Sequence, residues 1–161
     1  MKHLAGLLAL MLLATPAIAA TEAGALGGKD PIKITGDQFV INDAQKTATF
    51  TGNVVVLRTK LTVWGNKVVV EYGTGGPSDI KSFTALGNVR IKTPDQDATG
   101  QTAVYDPQTQ LLHLTGNVIV VNATGTVGSP ELVVNLVTNT STFSAAKGKG
   151  GGRVTGVFTP K

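Results

Sequence analysis

From Pro31 onward the chain alternates apolar and polar positions with a period of two, in short runs separated by turn residues. Ile32 and Ile34 alternate with Lys33 and Thr35, then Phe39 and Ile41 lead to a turn at Asn42-Asp43. Residues 47–50 precede Gly52-Asn53 and residues 54–57 follow it. Leu61 and Val63 alternate with Thr62 and Trp64 ahead of an apolar run at 68–70. No stretch of about ten residues carries a helical period, so almost no helix is expected. A strand and turn every 8–12 residues or so predicts about 12–16 short strands. The expected fold class is all-β.

An internal repeat organises these strands. A shift of 64 positions, without a gap, lays residues 36–72 on 100–136. The identities include Gly36/Gly100, Val40/Val104, Thr51/Thr115, Gly52/Gly116, Asn53/Asn117, Val54/Val118, Val63/Val127 and Val70/Val134. A third Gly-Asn-Val stands between the copies at Gly87-Asn88-Val89. Matching valines arise easily in a Val-rich chain, but Thr-Gly-Asn-Val twice in one register does not. The repeat predicts a stack of similar strand-turn units, each burying its apolar face on its neighbours. Glycine permits a positive φ at such corners and asparagine tolerates it.

The amino end reads as a targeting segment. Lys2 and His3 precede an apolar run at 4–14, and Ala17-Ile18-Ala19 is a small-x-small cleavage site. The run is shorter than the roughly 20 residues a membrane span needs. The expected organisation is a signal peptide at 1–19, a flexible lead-in at 20–29 and one domain at 30–161. Cleavage would remove one positive charge from the formal +4 and leave His113 as the remaining histidine. So small an excess is a weak field for nucleic acid, and an aromatic content of 5% argues against base-stacking platforms. With no cysteine, disulfides, thiolate metal sites and a cysteine nucleophile are excluded.

Catalysis finds little support. Alternation sets His113 opposite Leu112 and Leu114, on an exposed strand face. Asp43, Asp79, Asp95 and Asp106 sit among turn residues, and the Asp95/Asp97 pair reads as a hairpin tip. No His/Asp/Glu cluster has metal-ligand spacing. Residues 147–153 lack the Lys-Ser/Thr ending of a phosphate loop and read as a connector. Neither an enzyme, a metal nor a cofactor is expected. Residues 54–57, 68–70 and 118–121 are apolar on both faces, which fits either a dry β-sandwich core or a partly filled groove.

Residues 32–38, Ile-Lys-Ile-Thr-Gly-Asp-Gln, resemble the opening I-x-I-x-x-D-Q of the lipopolysaccharide-transport bridge family, LptA or OstA-like. Residues 49–54 and 114–118 are similar to its T-G-N-V corners, Tyr105-Asp106 to its Y-D or Y-E position, and 152–160 to its terminal G-x-R-V-T-x-V segment. The resemblance covers about residues 30–160. Asn66-Lys67-Val68 stands where many members have Asp-Lys-Val, and Gly128-Ser129-Pro130-Glu131 interrupts the second copy. Pro130 removes a ladder donor, which predicts an irregular or edge position.

The resemblance implies an open, V-shaped β-jellyroll whose apolar trough holds lipid A acyl chains. It implies a periplasmic protein without catalysis of its own, stacking head-to-tail with itself and with the inner- and outer-membrane lipopolysaccharide-transport components. Within that fold, alternation points Ile32, Ile34, Phe39, Ile41, Leu61, Val63, Val89, Ile91, Ala103 and Tyr105 into the trough as lipid-binding residues. Lys33, Arg58, Lys60 and Lys92 are the candidates for phosphate contacts at the rim. Two alternatives stand beside this reading: a structural solenoid or fibre subunit without cargo, and the membrane-anchored component of the same pathway.

Overall fold

A computed structural model describes residues 31–147 and 151–160. Ten strands form one antiparallel sheet: β1 (Lys33–Thr35), β2 (Gln38–Asn42), β3 (Thr47–Arg58), β4 (Leu61–Tyr72), β5 (Ile80–Lys92), β6 (Gln96–Asp106), β7 (Leu111–Asn122), β8 (Gly125–Asn135), β9 (Thr140–Ser144) and β10 (Thr155–Phe158). Among the described residues, the helical content is one 3-10 turn at Gly76–Ser78. The expected signal peptide and lead-in lie outside the described residues.

Strands β3 to β8 form a meander in which each pairs with the next. At its two ends the sheet is finished by pairs of half-length strands. β1 and β2 divide β3 between them, with Ile34 opposite Val56 and Phe39 opposite Phe50. β10 and β9 divide β8 in the same way, with Gly156 opposite Val127 and Phe143 opposite Leu132.

All five ladders of the meander slip register at one level, at Thr51/Val54, Trp64/Lys67, Leu86/Val89, Thr99/Thr102 and Thr115/Val118. The stacked irregularities crease the sheet into two arms. At the crease, Gly52-Asn53, Gly87-Asn88 and Gly116-Asn117 are left-handed at both residues, with φ between 45° and 85°. Glycine takes this conformation without a steric cost, and asparagine is among the side chains that tolerate it. These dipeptides are therefore corners through which a strand continues, and the chain reverses elsewhere. That is why ten strands are found where 12–16 are expected: β3 to β8 each run through the crease as two straight segments.

The crease is also the tightest part of the core. Val54 faces Gly65, Val89 faces Gly100 and Val118 faces Ser129 across every second ladder. The three valines are each 1% exposed. A small residue on one strand makes room for the valine of the next, whose burial contributes about 1.5–3 kcal/mol. In the second copy Ser129 replaces this glycine, and its hydroxyl is satisfied locally. Ser129 Oγ donates to Ser144 O at 3.1 Å and accepts from Glu131 N at 3.1 Å. Pro130 falls between the segment of β8 bonded to β10, ending at Gly128, and the segment bonded to β9, starting at Glu131. Its missing N–H thus costs no ladder bond on that side.

Candidate functional site: the trough between the arms

Side chains directly opposite in a ladder share a face, so the registers trace rows across the sheet. On the inner face of one arm, here the lower, a row runs through Phe39, Phe50, Val68, Ala85, Ala103, Leu114, Leu132 and Phe143. On the upper arm it runs through Ile34, Val56, Val63, Ile91, Ala98, Val120 and Val127. Both rows are apolar throughout. The outer faces are mixed, as in the row Lys33, Leu57, Thr62, Lys92, Asp97, Val121.

Two cavities lie between the arms. The first, of about 60 Å³, is lined by Ile32, Val56, Leu61, Val63 and Ile91 of the upper arm, by Val68, Phe83, Ala85, Ala103, Tyr105 and Leu112 of the lower, and by Arg58. The second, of about 80 Å³, extends toward β9, where Leu132, Val134, Ser141 and Phe143 line it. Leu61, Ile91 and Leu112 belong to both, so the two are sections of one trough. The Tyr105 hydroxyl titrates above its ordinary value because it is buried, an effect the Arg58 charge partly offsets and Asp106 reinforces.

A model of the family described as "LptA/(LptD N-terminal domain) LPS transport protein" matches residues 33–140, which is most of the described sheet. The chain belongs to this family of lipopolysaccharide-transport proteins. In fold it is similar to LptH of Pseudomonas aeruginosa, described as the LptA-homologous periplasmic component of the conserved lipopolysaccharide transport device. The TM-score is 0.72 at 21% identity, over 84% of this chain and 99% of that one. An uncharacterized protein of Rhizobium meliloti (strain 1021) is 30% identical over 103 residues, covering 60% of this chain. The match spans 55% of that curated relative's length.

Within this LptA-like fold, six of the residues expected in the trough, Ile32, Leu61, Val63, Ile91, Ala103 and Tyr105, line the first cavity. Ile34 packs on the core beside Val56, and Val89 is sealed into the crease. Phe39 and Ile41 are on the inner face but on the terminal strand, where no further strand of the described residues covers them. They are 51% and 52% exposed, and Phe39 stacks on Phe50 with centroids 4.4 Å apart.

The rim candidates divide. Arg58 lines the cavity. Lys33 and Lys92 belong to the outer row, because their neighbours Ile34 and Ile91 take the inner positions and alternation sends them outward. Lys60 occupies the β3–β4 hairpin at φ 62°. Val56, Val68, Phe83, Ala85 and Leu112 line the cavity without having been expected there. The same alternation carries their signal, but which strand faces which is set by the ladder registers.

Polar groups elsewhere are engaged on the outside. His113 Nε2 lies 2.6 Å from Glu131 Oε1 on the outer face. Arg90 bonds Asp97 through Nε at 2.9 Å and lies over the Trp64 ring, 5.4 Å from its centre. Asp106 accepts from the backbone N–H of Gln108 and Thr109, which holds its carboxyl below the usual range. Among the described residues no group of three or more acidic or histidine side chains could hold a metal.

Proposed function

We propose that this protein is a periplasmic carrier that holds lipopolysaccharide by its acyl chains in the trough and joins its own copies end to end into a bridge between membranes. The observation that carries this is the inner face. Its apolar rows run unbroken from β1 and β2 to β8 and β9 and stay exposed at one edge, at Phe39 and Ile41. A filled sandwich core would be covered there. The cavities of about 60 and 80 Å³ are well below the roughly 300–1,000 Å³ of ordinary ligand pockets, so acyl chains enter as the arms part about the crease. Release to a neighbour needs no bond chemistry, in keeping with a carrier.

A photo-crosslinking residue at Tyr105 is expected to capture lipopolysaccharide, whereas one at Val104, which faces outward, is not. Equal capture at both positions would refute the inward-facing site, and capture at neither would favour a structural subunit without cargo. End-to-end joining follows from the sheet edges. β10 exposes Val157 and Phe158 and, among the described residues, has β8 as its one partner, while β1 lies at the opposite end. Free edges of this kind pair by strand addition, and a head-to-tail contact grows instead of closing. Light scattering over a concentration series should report growth for the parent protein and a monomer for Val157→Lys. Assembly unchanged in the variant would mean that this edge is not the joint.

A further inference from the structure

The trough is chemically lopsided. Among the described residues lining its two cavities, Arg58 is the one charged side chain, and it belongs to the first. The second cavity carries Thr93, Gln96 and Ser141, all neutral, among apolar neighbours. Arg58 is the last residue of β3, directly opposite Leu61, at a position where Val54 and Val56 have already set the inward face. Alternation alone would ask for another apolar residue here. The backbone instead brings a guanidinium to the tip of the upper arm, facing Tyr105 near the end of β6 on the lower arm. The repeat sharpens the contrast, since the positions equivalent to Ile32, Arg58 and Leu61 in the second copy are Gln96, Asn122 and Gly125.

We infer that Arg58 orients the trough's ligand, binding the oxyanion of an anionic amphiphile at the mouth of the first copy while the alkyl chain runs toward Leu132 and Phe143. The inference rests on the reading of the trough as an acyl-chain site and adds a head-group preference and a direction to it. Three physical points support it. A guanidinium is always charged and offers several donors to a phosphate or carboxylate. A half-buried setting among Ile32, Leu61 and Tyr105 screens its field less than open solvent would. The neutral far end leaves nothing to reward a second anionic group. Lys33 and Lys92 cannot substitute for it, because they lie on the outer face.

Calorimetric titration of the full chain with dodecyl phosphate and with the neutral dodecyl maltoside, both below micelle formation, tests this. The parent protein should bind the phosphate about tenfold more tightly, the scale of one charge-assisted contact. Arg58→Gln should remove that preference, so that the phosphate binds no more tightly than the maltoside does to the same variant. Arg58→Lys should restore part of it. Lys92→Gln, which removes one positive charge from the outer face, should leave it intact. Inorganic phosphate at matched concentration should not displace dodecyl phosphate; displacement would mean a free-phosphate site and overturn the inference. So would a preference that survives in Arg58→Gln or disappears equally in Lys92→Gln, while the acyl-chain reading would stand. If neither amphiphile binds the parent protein, both readings fall.

Discussion

Residues 36–72 and 100–136 fold alike down to single bonds. The amide of Tyr72 donates to Lys46 O at 3.0 Å, and that of Leu136 donates to Gln110 O at 3.0 Å. Lys46 and Gln110 are both left-handed, at φ 53° and 54°, and both copies crease at Gly-Asn. At the tips of the arms they part company. Tyr72 of the first copy donates to Asp43 at 2.9 Å, whereas Leu136 and Pro107 occupy those places in the second. Arg58 and Leu61 correspond to Asn122 and Gly125. The crease is a backbone requirement that any copy must meet, so its residues recur. The tips keep their backbone too, at Lys46 and Gln110, but a lysine and a glutamine meet that demand equally, so the side chains there differ between the copies.

Position within the sheet should separate the copies most strongly. Leu114 and its counterpart Phe50 share the lower inner row, but Leu114 has inner-face neighbours on both sides and is almost fully buried, while Phe50 adjoins the exposed terminal strand. Leu114→Ala should cost about 2–5 kcal/mol in urea unfolding, and Phe50→Ala less despite the larger group removed. Equal losses would mean that burial is uniform along the row and that the edge is not open.

Next in size is the crease, where the copies should behave identically. Valine at Gly52 would meet Asp37, and at Gly116 its Cβ would approach Gln101 Cβ to 2.6 Å, with φ strongly positive in both cases. Each substitution should cost about 1–3 kcal/mol by the same unfolding measurement. A variant that unfolds at the parental midpoint in one copy would break the equivalence.

The smallest effect concerns the outer face, where the first copy has Lys33 and the second Asp97. The hydrogen bond from Arg90 holds the Asp97 carboxyl below its usual range against the opposing cost of burial, with lesser help from the Arg90 and Lys92 charges. A carboxyl depressed in the folded state stabilises fully above its unfolded value of about 3.9 and loses that contribution as pH falls through the lower folded value. Asp97→Asn should therefore flatten the acid limb of the stability profile slightly, since the pair is largely exposed and screened. An unchanged limb would show that the Arg90–Asp97 contact carries no stability.

Much of this molecule was legible in one dimension. Period-two alternation gave the all-β class and the inward side of Ile32, Leu61, Val63, Ile91, Ala103 and Tyr105, because side-chain direction in a strand is a local property. The repeat located left-handed corners at Gly52-Asn53 and Gly116-Asn117, because left-handed backbone is a demand that few residues meet. Alternation could not say that a Gly-Asn pair bends a strand without ending it, nor how far a neighbour covers an inward residue. Phe39 and Ile41 face inward yet stand half in solvent, and Lys33 and Lys92 are near the rim in sequence but outside it in space. Cavity walls such as Val68, Phe83 and Leu112 come together from strands far apart in the chain, through registers that depend on every ladder between them. The sequence by itself determined which way each side chain points; the tertiary structure alone decided which of them meet across the trough, because the crease folds one arm over the other and, among the described residues, the sheet's two ends leave their last strands uncovered.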